Sequence, residues 1–325
     1  MVISVNNLSK YYRVHKKQPG VSGAFKNLFK REYSQAKAVE SISFEIDAGE
    51  LVGFIGPNGA GKTTTLKCLT GLVYPTGGEI SILGHTPFNR DHAFLKQISL
   101  VMGQKNQLWW DLPAADSFLL NKAIYGVSDS RYAKTVGDLV DLLDVKDIIH
   151  VPVRKLSLGQ RMKCELIAAL VHTPKVLFLD EPTIGLDVVM QQKLRDFIKE
   201  YNEKYNATII LTSHYMQDVE QLCKRVIVID RGTILYDGSL SDIVKEYAKE
   251  KVLTVTFGKS VSKSGLTAYG KILAHEGNMV SFAVQREKVS SVAAKVLEAH
   301  DVEDLTIEEI SIESIIKDVF AQKTA

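Results

Sequence analysis

Gly56, Pro57, Asn58, Gly59, Ala60, Gly61, Lys62 and Thr63 fit the pattern G-x-x-x-x-G-K-[ST] directly after the apolar run Leu51 to Ile55. No other feature of the 325 residues restricts the fold as much. A buried strand has to end, the backbone has to turn through glycines and a helix has to begin. That geometry is what aims several backbone N–H groups at one anion. A Cβ on the glycines would obstruct the approach. The helix, read through Thr65 to Leu69, points its positive end at the same anion. Lys62 supplies a mobile cation for the β and γ phosphates of a nucleotide, and the Thr63 hydroxyl suits Mg²⁺.

The surrounding sequence has the periodicity such a loop requires. Ser41 to Ile46 alternates as a half-buried strand does. Val176 to Leu179 and Thr208 to Leu211 read as further buried strands, each preceded by helix-like sequence. Strands alternating with helices place the chain in the α/β class with a parallel sheet. Between about Asp116 and Leu170 the patterns are helical and contain no clear strand, which marks a helical subdomain. After Asp237-Gly238 the character changes. Val252 to Phe257, Met279 to Val284 and Val302 to Ile307 read as strands and Lys288 to Ala299 as a helix, a small α+β appendage.

Composition excludes several alternatives. An apolar fraction of 45% and a charged fraction of 24% rule out a disordered or collagen-like chain. No apolar run reaches the roughly 18 residues of a membrane span. Met1 to Lys10 lacks the apolar core and cleavage pattern of a signal peptide, so none is expected. Cys68, Cys164 and Cys223 lie far apart, which suits a reducing compartment and argues against a structural zinc site. The net charge of +2 favours no partner class, but it hides an asymmetry. From Lys10 to Lys37, eight basic residues face Glu32 alone, a local balance of +7. Within that stretch Phe25, Leu28 and Phe29 share one face if helical. The segment is read either as a solvated loop whose aromatics pack back on the core or as a basic amphipathic element that docks at a membrane.

Asp180 and Glu181 follow the strand Val176 to Leu179. A strand-end carboxylate can hold Mg²⁺ beside a phosphate loop, and an adjacent one can position or deprotonate a water. Such a pair is equally well read as a solvated acidic turn until the phosphate loop is taken into account.

At this point the chain resembles the ATPase subunit of ABC transporters over roughly Val2 to Ile243. Leu156-Ser157-Leu158-Gly159-Gln160 resembles the LSGGQ signature and departs from it at Leu158; Ser157 stands 23 residues before Asp180. Gln104 resembles the Q-loop glutamine, His214 the switch histidine and Gly185-Leu186-Asp187 the D-loop. Tyr12 resembles the aromatic that stacks on adenine, with Tyr11 as the substitute. The resemblance implies a P-loop NTPase core of ABC type at 1–244, with a basic insertion at about 14–37 and a helical subdomain at about 105–170. An accessory domain at 245–325 follows. It implies ATP and Mg²⁺ as ligands. Tyr12, Gly56 to Thr63, Thr64, Ser157, Gly159 and Gln160 would hold the nucleotide, and Thr63, Gln104 and Asp180 the metal. Glu181, His214, Lys62 and Gln104 would carry the chemistry.

Two subunits would pair head to tail, so that Ser157 of one closes on the phosphates held by Lys62 of the other. The partners implied are that second subunit and an integral membrane permease, not nucleic acid, with the chain cytoplasmic and peripheral at the inner face of the cell membrane. The long tail, ending Ile312 to Phe320, is similar to that of type-2 exporter ATPases. Trp109-Trp110 either fills a core or meets a partner. A soluble relative acting on ribosomes or DNA is the competing class. One phosphate loop, and only 95 residues from Lys62 to Ser157, count against it. A regulatory module without turnover is the third, and Glu181 and His214 count against that.

Overall fold

The computed structural model describes residues 1–15, 33–103, 105–213, 215–247, 249–262, 265–310 and 312–316. The chain divides into two compact units, Met1–Gly238 and Ser239–Ala325. The expected boundary at 244/245 falls inside a helix, Leu240–Tyr247, that belongs to the second unit.

The first unit carries two sheets. β1 (Ile3–His15), β2 (Tyr33–Ile46) and β4 (Gly77–Ile82) form an antiparallel sheet in the order β2-β1-β4. β3 (Leu51–Ile55), β5 (Ile98–Met102), β6 (Val176–Asp180), β7 (Thr208–Thr212), β8 (Arg225–Asp230) and β9 (Thr233–Ser239) form the other, ordered β5-β6-β7-β3-β8-β9. Its first five strands pair in parallel. β6 and β7 are buried along their whole length, which is why they read as unbroken apolar runs.

One apolar core joins the two sheets. Ile3, Val5, Ile42, Phe44 and Ile80 from the antiparallel sheet pack in one cluster with Val52, Phe54, Phe178, Ile210 and Ile227 from the parallel sheet. Phe44 and Phe54 lie 5.9 Å apart between ring centroids. The cluster also takes Leu66 and Leu69 from α1 (Lys62–Leu69), fixing that helix beneath the turn that precedes it.

The remaining helices of this unit are α2 (His92–Leu95), α3 (Ala114–Tyr125), α4 (Asp129–Leu143), α5 (Leu158–Leu170), α6 (Val188–Tyr205) and α7 (Met216–Leu222). The basic stretch from Lys10 to Lys37 begins and ends as a ribbon: β1 and β2 pair out to His15 and Tyr33. The expected helix face of Phe25, Leu28 and Phe29 lies outside the described residues, as does 317–320 of the tail.

The second unit starts with α8 (Leu240–Tyr247). It continues with β10 (Glu250–Phe257), β11 (Lys271–Glu276), β12 (Met279–Gln285), α9 (Val289–Ala299) and β13 (Val302–Glu309). The four strands are antiparallel in the order β11-β12-β10-β13. Leu253, Val255, Val280 and Phe282 pack against Val289, Ala293 and Val296 of α9, which gives the unit its own core. β13 is an edge strand and carries Glu303, Asp304, Glu308 and Glu309, all exposed.

Candidate functional site

The loop between β3 and α1 is shaped by its glycines. Gly61 caps α1 with φ 111°, and a Cβ there would lie 2.4 Å from the Ala38 carbonyl oxygen. No side chain caps this helix, so the first-turn N–H groups are left for an anion. Lys62 is buried and its ammonium donates to the carbonyl oxygens of Gly56 at 2.7 Å and Pro57 at 3.1 Å. Burial lowers its pKa, opposed by the nearby charges of Glu181 and Asp180. A cation folded onto carbonyl dipoles at the rim of a ring of N–H groups is poised to exchange those carbonyls for phosphate oxygens.

Opposite the loop, β6 ends at Asp180. Its carboxylate accepts from the Thr63 hydroxyl at both oxygens, 3.1 Å and 2.9 Å, and from the Thr212 hydroxyl at 2.8 Å. Thr212 also accepts from the Glu181 backbone N–H at 3.0 Å. The last residue of β7 thus orients the acidic pair, a role that no motif announces. Glu181 sits in the left-handed region at φ 54°, a conformation costly for a non-glycine residue. Its carbonyl runs so close to Gly103 that a Cβ on Gly103 would stand 2.1 Å from the oxygen. Thr63, Lys67, Met102, Lys105, Asp180 and Glu181 line one cavity of about 180 Å³.

The residue types fit a nucleotide with Mg²⁺. Mg²⁺ takes few protein oxygens and completes its shell with water and phosphate. A hydroxyl and a carboxylate held within hydrogen-bond distance match that demand, and among the described residues no cluster of His, Cys, Asp and Glu offers a dedicated metal cage.

Ser157 lies elsewhere. It caps α5 and forms a capping box with Gln160: its hydroxyl accepts from the Gln160 N–H at 3.3 Å, and its own N–H donates to Gln160 Oε1 at 3.0 Å. Ser157, Gln160, Lys163 and Asp187 line a separate cavity of about 390 Å³, together with Asp144 and Lys146. Gly159 faces Met190, and Leu158 lies against the D-loop, with its Cδ2 2.9 Å from the position of a Cβ on Gly185.

Tyr12 is on β1, exposed, with the Lys10 ammonium 5.0 Å from its ring. Tyr11 is similarly faced by Lys37 at 5.8 Å. Gln104 and His214 lie outside the described residues. The structure therefore joins Lys62, Thr63, Asp180 and Glu181, and places Ser157, Gly159 and Gln160 in a different site of the same chain.

A family model described as ABC transporter matches residues 39–184, and one described as EvrA-like ABC transporter, C-terminal domain, matches 249–308. The Nod factor export ATP-binding protein I of Burkholderia orbicola is 36% identical over 220 residues, 66% of this chain and 70% of that protein. The chain belongs to the ABC transporter ATP-binding family. The linearmycin resistance ATP-binding protein LnrL of Bacillus subtilis is 28% identical over 297 residues, covering 88% of this ABC subunit and 94% of LnrL. A dimeric ATP-binding cassette solved in a post-hydrolysis state with ADP and Pi shares the fold. Its TM-score is 0.60 at 22% identity, covering 73% of this chain and 98% of the cassette. The fold is thus an α/β ABC ATPase core followed by a small α+β domain, and the chain is an ATP-binding ABC ATPase, an ATP hydrolase of the class coupled to transport.

Proposed function

We propose that this ABC ATPase drives export through a separate membrane permease, working as a head-to-tail pair of subunits at the inner face of the cell membrane. One observation carries the reading. The phosphate loop and the acidic pair meet in one cavity, while the signature residue Ser157 opens into another. A chain that carries both half-sites in separate cavities is completed by a second copy.

Within one half-site, Lys62 leaves the Gly56 and Pro57 carbonyls for the β and γ phosphates. The N–H groups of Gly59 to Thr64 surround the same phosphates, and Tyr12 stacks on the base. Thr63 and Asp180 hold Mg²⁺, with Gln104 as a further ligand. Bound there, Mg²⁺ neutralises charge on the phosphate oxygens. Glu181 accepts a proton from the attacking water, and His214 contacts the transferring phosphoryl group. Ser157, Gly159 and Gln160 of the second copy close over the γ phosphate and exclude water.

Export is supported by the names of the relatives, one acting in Nod factor export and one in linearmycin resistance. Among the described residues no helix is long and apolar enough to cross a membrane, and we assign the path for a substrate to the permease. Trp109, Trp110, Leu112, Leu119, Leu120 and Ile124 are exposed, and we assign that apolar surface to the permease. The accessory domain, 245–325 by sequence, is assigned to stabilising or regulating the pair.

Glu181→Gln tests the reading. The variant is expected to bind Mg-ATP, hydrolyse it very slowly and accumulate as an ATP-dependent dimer in light scattering. The wild-type chain, purified from membranes, is expected to bring down an integral membrane protein. Normal turnover in the variant overturns the role of Glu181; ribosomes or DNA in place of a membrane partner overturn the transport reading.

A further inference from the structure

Behind the nucleotide site lies a polar network that no motif marks. Asp218, on α7, is fully buried. Its Oδ1 accepts from the Arg195 guanidinium of α6 at 2.8 Å. Its Oδ2 accepts two hydroxyls, Thr183 at 2.6 Å and Ser213 at 2.6 Å. Arg195, Thr183 and Ser213 are buried as well. Ser213 Oγ in turn accepts from the Tyr215 N–H at 3.0 Å, and the Asp218 N–H donates to the Tyr215 carbonyl at 3.1 Å.

The two hydroxyls come from different loops. Thr183 follows Glu181 by two residues, and its carbonyl accepts from the Leu186 N–H at 3.2 Å, at the start of the D-loop. Ser213 and Tyr215 flank residue 214. Both loops leave the ends of neighbouring parallel strands, β6 and β7. One carboxylate oxygen receiving both hydroxyls ties the strand ends together, and the Arg195 guanidinium on the other oxygen orients the carboxylate.

We propose that Asp218 is a positioning residue, the shared anchor that holds the Glu181 loop and the His214 loop in one fixed relation. This rests on the roles given above to Glu181 and His214. The water-activating carboxylate and the phosphoryl-contacting histidine must meet the same reacting atoms, so a shift of either loop misplaces one of them. Misplacement of this order lowers the chemical step while leaving the phosphate loop, and hence ATP binding, as it was.

The test uses the full chain and removes one hydroxyl at a time, leaving the Asp218–Arg195 pair in place. Thr183→Val and Ser213→Ala are each expected to lower kcat at least tenfold, with KM for ATP changed less than threefold and melting close to wild type. Thr183→Ser, which keeps the hydroxyl, is expected to restore kcat. The double variant Thr183→Val/Ser213→Ala is expected to lose less than the product of the single losses, since both hydroxyls act through one anchor. Wild-type kcat in either single variant overturns the proposal, as does a Thr183→Ser protein as slow as Thr183→Val. His214→Ala serves as the reference. If it turns over at the wild-type rate, the role of His214 fails and the proposal with it. That failure is told apart because Thr183, Ser213 and Asp218 are untouched in that protein.

Discussion

Glu165 lies in the signature helix α5, 2% exposed, and carries a carboxyl group into the core. Burial pushes its pKa from 4.5 up to about 7, against the Gln107 backbone N–H and the Arg161 guanidinium, which favour the anion. The Arg161 contact is loose, 3.8 Å from Nε to Oε1, and Arg161 also lies over the Trp110 ring at 5.7 Å. In the unfolded chain the group loses its proton near 4.5; in the folded chain it keeps it until about 7. The folded state therefore binds more protons between those values. Stability from this group is fully present below about 4.5 and is lost as pH rises through about 7. The interval corresponds to about 3 kcal/mol at most by linkage.

Glu165→Gln removes the titration and keeps the shape. At pH 8 the variant is expected to be more stable than wild type by up to ~3 kcal/mol, which for a unit of this size is on the order of 5–10 °C in Tm. At pH 4 the two proteins are expected to melt together, since the carboxyl group is then largely protonated in the unfolded as well as the folded chain. Scanning calorimetry of the full chain from pH 4 to 8.5, following the transition of the ATPase unit, measures the difference. An equal gap at both pH values, or a less stable variant at pH 8, would refute the reasoning, because either result means that the carboxylate is well paired in the folded state.

Lys62→Ala is expected to abolish steady-state ATP hydrolysis and to weaken nucleotide binding, because it removes the side-chain cation of the loop and leaves backbone donors alone; ATPase assays and nucleotide titration measure both. Gly61→Ala is expected to destabilise the first unit by roughly 1–3 kcal/mol and to impair nucleotide binding, since the new Cβ meets the Ala38 carbonyl in a left-handed backbone; denaturant titration and binding at low temperature check it.

Periodicity made some elements legible and hid others for physical reasons. Leu51–Ile55, Val176–Asp180 and Thr208–Thr212 are buried on both faces, so their apolar runs announce them. β1 gives no such signal. Its pairing with β2 shifts register three times between Val5 and Tyr11, and Asn7 takes φ 50°, so alternation is broken where a strand runs on. β11 is an edge strand with a further shift between Ile272 and Ala274, and most of its residues are exposed. Trp109 and Trp110, readable either as core or as contact residues, are on the surface.

At the site, contiguous motifs named Lys62, Thr63, Asp180 and Glu181, because each is defined by its neighbours in sequence. Thr212, Asp218 and Arg195 were not legible. Their partners stand up to 35 residues away, and only the packing of α6 and α7 on the strand ends brings them together.

The acidic edge of the second unit bears on solubility. A sheet that ends on a bare strand offers its unpaired N–H and C=O groups to any other extended chain. Glu303, Asp304, Glu308 and Glu309 line that strand on both faces, and among the described residues Glu309 is drawn into ion pairs, with Lys251 and Arg286. A second such edge approaching it meets like charge, so growth by strand addition is discouraged where the backbone alone would permit it. Replacing these carboxylates by amides would lift the barrier, and the small unit would then be the part of the molecule from which strand addition starts.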